Sequence, residues 1–145
     1  MANPLIAQGS LNRILGSVIF NSNPSFNVTS PFLSREGIRL ALQGQSTVYL
    51  PTMTGAVRSQ APYMMVECTI NLLKSQALAN QFKDQMEVDS FLGDMTVRPD
   101  STTLNPYAIV NVSIQNVREL DFSGENAVYS IVMGGYYQVN GNLFA

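Results

Sequence analysis

Between Tyr63 and Leu73 the side chains alternate: Met64, Val66, Cys68, Ile70 and Leu72 share one face, and Met65, Glu67, Thr69, Asn71 and Leu73 share the other. Successive strand residues point to opposite faces, so this period of two predicts a β-strand with one face in the core. The same rule predicts strands over residues 37–43, where Ile38, Leu40 and Leu42 interleave with Arg39, Ala41 and Gln43. It predicts another over 107–117, with Val110, Val112 and Ile114 opposing Asn111, Ser113 and Gln115. A last long strand is expected over 128–139, carrying Tyr129, Ile131 and Met133 on one side; Gly134 and Gly135 in its middle point to a bulge or a close backbone approach. Shorter strands are expected around Phe26 and Val28 and over 91–97, with turns at 21–24, 44–45, 99–101 and 121–126.

One stretch changes period. Leu78, Phe82 and Met86 recur every four residues, which predicts a single helix over 76–89 with Ser75 as its N-cap. In residues 45–62, Pro51, Gly55 and Pro62 punctuate Val48, Leu50, Met53 and Val57. Proline cannot donate to a ladder, so this piece resists being a central strand. It reads as a long hairpin excursion leaving the body, with two ordinary short strands meeting near Pro51 as the alternative. Residues 1–20 scatter Leu5, Ile6, Leu11, Ile14 and Leu15 among Gln8, Gly9, Ser10 and Asn12 without a clear period. That suits an N-terminal arm packed on a neighbouring subunit through Leu5, Ile6 and Leu11, or a first strand of the same sheet. The sum is one mainly β domain over 1–145: an antiparallel sandwich or barrel of about seven to nine strands with one flanking α-helix.

Composition sharpens this. Charged residues are 12% of the 145 positions, about half the usual share, and Asn, Gln, Ser and Thr fill about 30%. Amides and hydroxyls desolvate at far lower cost than ions, so such a surface suits extensive protein contact. A net charge of −2, with no basic run, lacks the footprint of a nucleic-acid reader. No apolar stretch approaches the length that spans a bilayer, and residues 1–10 lack the pattern of a secretory leader, so the chain is expected to be cytosolic when made. The lone Cys68 excludes an intrachain disulfide and falls on the apolar strand face.

Histidine is absent, which removes the usual general base, metal ligand and triad member, so no enzyme, metal or cofactor is expected. Asp84, Glu87 and Asp89 fall on a solvated helix face, and the ten glycines form no phosphate-cradling loop. Glu67 stands out as an acid within an apolar strand: it needs no partner if its face lines a polar channel, and an arginine such as Arg39 or Arg58 if that face is core.

The segments NPLIAQGSLNR at 3–13, VYLPTMTGAVRSQAPYMMVECTINLLKSQALANQF at 48–82, TVRPD at 96–100 and DFSGENAVYSIVMGGYYQVN at 121–140 resemble, in pattern and order, the tail tube proteins of contractile-tailed, myovirus-type bacteriophages. The resemblance implies a β-sandwich with a flanking helix, shared with type VI secretion tubes, that forms hexameric rings stacked into a tube conducting the genome. It implies that the hairpin contacts the adjacent ring, which would assign Val48, Leu50, Pro51, Met53, Val57 and Arg58. It implies a lumen lined by long strands, for which Glu67, Thr69, Asn71, Asn111, Ser113 and Gln115 are the candidates, since a duplex should slide past wet faces without basic charge. Expected partners are further copies of the chain, sheath, baseplate and tail-terminator proteins, and double-stranded DNA passing transiently, without membrane binding. The expected location is the virion tail, with host cytoplasm during assembly. Another ring-forming tail component, such as a terminator or completion protein, and a monomeric ligand-binding β-barrel are the competing expectations.

Overall fold

A computed structural model describes residues 16–99, 104–118 and 120–143. Strands take 57% and helix 13%, which makes the protein mainly β. Along the chain run β1 (Gly16–Phe20), β2 (Leu33–Gln43), β3 (Thr47–Pro51), β4 (Ala56–Gln60), β5 (Tyr63–Leu73), α1 (Leu78–Val88), β6 (Phe91–Pro99), β7 (Tyr107–Val117) and β8 (Val128–Gln138). Six strands form one antiparallel sheet in the order β1-β6-β7-β8-β5-β2, and β3 and β4 pair apart from it.

The sheet curls into a half-barrel around its own core, rather than packing a second sheet face to face as a sandwich would. Its edges approach where a Cβ on Gly16 would stand 3.3 Å from Ile38 Cδ1. Val66, Cys68, Ile70 and Leu72 of β5, Ile131 and Met133 of β8 and Ile109, Val112 and Ile114 of β7 are buried together inside. The alternation in β5 is therefore the inside–outside alternation of a half-buried strand.

Helix α1 covers this core with Leu78, Ala79 and Phe82. The Phe82 ring lies 5.1 Å from Phe26 and 6.1 Å from Phe20, and it fills the space under β1. The N-cap position is Ala77, with no side-chain bond to the first turn, so Ser75 does not cap the helix. Residues 24–26 and 30–32 form short 3-10 turns in place of the strand expected there; only Val28 bridges to Val18. Pro24 and Pro31 lack the amides that a longer ladder would need.

Candidate functional site

Two surfaces carry the described residues singled out above, and a third stands apart from them. The first is the outer face of β7-β8-β5-β2. Cross-strand partners share a face, so the register aligns Ser113, Gly134, Glu67 and Ala41 in one row and Asn116, Val132, Thr69 and Arg39 in the next. Glu67 sits at the centre. Arg118 Nη2 donates to Glu67 Oε1 at 2.7 Å across β8, and Gln43 Nε2 donates to Glu67 Oε2 at 3.0 Å from the other side. The acid's partner is thus Arg118, not Arg39 or Arg58, with Arg118 exposed and Glu67 half-buried. Together with Gln115, Asn116, Val117, Ser130 and Val132, the pair lines an open groove of about 820 Å³.

Of the six residues expected to line a wet channel, Glu67, Thr69, Asn71, Ser113 and Gln115 belong to this face, but not all are wet. Thr69 is buried. Asn71 is a structural tie, donating from Nδ2 to the Gly37 carbonyl at 2.9 Å and accepting from Ser130 Oγ at 2.7 Å. Asn111 occupies a bulge with φ +54°, its amide donating to Asp94 Oδ1 at 3.2 Å. That bulge breaks the alternation: Val110 pairs with Tyr136 on the outer face, and Ile109 takes the core position expected of Val110. Arg39 also lies in the outer rows, so this face carries more positive charge than was expected of it.

The second surface is the β3–β4 hairpin, a pair of short strands that forms the excursion. Its turn closes with the Thr52 amide on the Gly55 carbonyl at 2.7 Å. Its base is held by Asn140, whose Nδ2 donates to the Ser46 and Ala61 carbonyls at 3.2 and 2.8 Å. Every residue from 48 to 60 is exposed, including Val48, Tyr49, Leu50, Pro51, Met53, Val57 and Arg58. Pro51 ends β3 opposite Ala56, an edge position where its missing N–H costs no ladder bond.

The third surface is formed by residues 120–127 ahead of β8, which drew no attention in sequence beyond their turn. Phe122 at its tip is 92% exposed, with Leu120 also exposed. Asp121 shapes the loop by accepting from the Ser123 amide at 3.0 Å and the Ser123 hydroxyl at 3.1 Å. Lys74 Nζ donates to the Asp121 carbonyl. An apolar ring inside the cluster Asp-Phe-Ser-Gly was the available signal, since turns favour small and polar residues.

The candidate arm contacts Leu5, Ile6 and Leu11 lie outside the described residues. Beside Gly16 a cavity of about 610 Å³ is lined by Leu33, Ile38, Leu40 and Val97 together with Arg35, Glu36 and Arg98. Burial pushes the Cys68 thiol up to about 12, which keeps it protonated at neutral pH. Among the described residues no three His, Cys, Asp or Glu side chains group to hold a metal ion, and no helix is long and apolar enough to cross a membrane. No family model matches the chain, and no curated protein matches it in sequence.

Proposed function

We propose that the chain is a structural subunit that assembles with copies of itself into the tail tube of a contractile-tailed phage, as stacked rings whose lumen conducts the genome. The observation that carries this is the hairpin: a projecting finger whose Val48, Tyr49, Leu50, Met53 and Val57 are exposed among the described residues. Val48, Leu50 and Val57 share one face of the hairpin, and exposed apolar side chains grouped in this way mark a protein contact. The ring number of six rests on the sequence resemblance alone, as do the sheath, baseplate and terminator partners and the virion location. On the outer sheet face uncharged Ser113 and Gln115 stand beside the Glu67–Arg118 pair, which suits a lumen that passes duplex DNA, with Arg39 as the added positive charge against it. In this account the protein has no catalytic role.

Sedimentation velocity tests the proposal. The full chain is expected to form polymer that grows with concentration, and a variant lacking residues 46–60 is expected to keep its β circular dichroism while losing that polymer. Equal polymerisation by the two proteins would remove the hairpin from the contact. A second reading, a monomeric ligand-binding barrel, is favoured by the cavity beside Gly16, which joins apolar walls to a few polar groups; a solitary species at high concentration would decide for it. Isolated rings that never stack would instead indicate a terminator or completion component.

A further inference from the structure

The cavity beside Gly16 is shaped by specific devices in the chain. Leu33 pairs with Leu72 and Ile38 with Ile70, so residues 34–37 stand opposite Asn71 alone and bow away from β5. Gly37 turns this bow with φ +67°, and Asn71 Nδ2 fastens its carbonyl at 2.9 Å. On the far side Gly16 brings no side chain toward Ile38, where a Cβ would stand 3.3 Å from Cδ1. The space left open, about 610 Å³, falls within the roughly 300–1,000 Å³ that hold drug-sized ligands.

Its lining divides by chemistry. Leu33, Ile38, Leu40, Val97 and Leu104 give branched aliphatic walls, and the one ring, Tyr107, already packs on Tyr137 with centroids 5.4 Å apart. That suits an aliphatic chain better than an aromatic plate. Two cations and one acid complete it, Arg35, Arg98 and Glu36. The Glu36 carboxylate accepts from Ser34 Oγ at 2.8 Å, and among the described residues neither arginine stands in an ion pair. The excess is a single positive charge.

We propose that this cavity binds an aliphatic carboxylate of the fatty-acid class, its chain against Leu33, Ile38, Leu40 and Val97 and its headgroup among Arg35 and Arg98. A guanidinium fork matches a carboxylate with two parallel hydrogen bonds. One negative charge balances the excess, whereas a doubly charged headgroup would leave an unpaired charge beside Glu36. The inference deepens the second reading, whose cavity it uses, and requires no particular state of assembly.

Calorimetric titration of the full chain with decanoate, kept below its micelle-forming concentration, tests it. Decanoate should bind saturably, one molecule per chain, with decanol and decyltrimethylammonium weaker by about tenfold or more. A chain carrying Arg35→Gln and Arg98→Gln, both at exposed positions, should fold by circular dichroism and lose affinity to the same extent. Gly16→Leu should fill the cavity and abolish binding; if that variant does not fold, the arginine variant decides. No binding of decanoate, equal binding of decanol, or unchanged affinity in the folded variants would overturn the site. Binding by a chain that polymerises leaves the tube proposal intact, binding by a solitary chain favours the barrel, and rods without binding remove the ligand alone.

Discussion

Gly135 on β8 lies so close to β7 that an added Cβ would stand 2.9 Å from the Val110 carbonyl oxygen and 2.7 Å from Ile109 Cγ2. A carbonyl in a ladder cannot step aside as a side chain can. Gly135→Ala should therefore destabilise the fold by about 1–3 kcal/mol in urea unfolding, the range of overpacked cores. Gly134→Ala meets only the amide end of Gln115, with its Cδ at 2.6 Å. That side chain is exposed and can rotate away, so the cost should be clearly smaller. Equal losses at the two glycines would contradict the strand spacing described.

Asn111 holds φ +54° within β7. Asparagine and glycine accept the left-handed region, whereas a β-branched residue there is strained. Thermal unfolding should show Asn111→Gly near neutral and Asn111→Val destabilised by about 1–2 kcal/mol. An unchanged Val variant would mean that β7 runs straight through this position.

The long strands were legible because alternation persists over eleven residues: β5 and β7 occupy the expected spans, and β8 ends one residue early. The helix was legible from Leu78, Phe82 and Met86. What escaped has local causes that periodicity does not encode. The bulge at Asn111 shifts the phase of β7 by one, which moves Val110 outward and Ile109 inward. Ser75 has the chemistry of a cap, but the chain turns at 74–77 before the helix begins. Glu67 finds Arg118 across 51 positions of sequence, a pairing that only the strand order β7-β8-β5 creates. The projecting hairpin was marked in sequence by its prolines, whereas the exposed Phe122 sits in what reads as an ordinary turn.

Cys68 offers a pH test with a definite sign. Burial pushes its thiol up to about 12, whereas the unfolded chain releases this proton near pH 9.0. Below pH 9 both states hold the proton and this group contributes no pH dependence. Between pH 9 and about 12 the unfolded state alone loses it, and stability falls by up to about 1.4 kcal/mol per pH unit. Urea unfolding at pH 8 and 10 should show a loss for the unaltered chain that is reduced in Cys68→Ala. At pH 8 a thiol reagent should label the protein only after denaturation; rapid labelling of the native chain would contradict the burial.

Ser113 and Gln115 lie on the outer face beside Gly134. Lysine at either position can extend its ammonium into water, so Ser113→Lys and Gln115→Lys should fold with stability within about 1 kcal/mol of the unaltered chain. Aggregation or unfolding of both would place this face in a buried seam within the assembly.

Electron microscopy of the purified full-length chain in negative stain tests the self-assembly claim most directly. The account predicts long hollow rods of uniform bore built from stacked rings. A field of separate monomers at concentrations well above those used for sedimentation would contradict it.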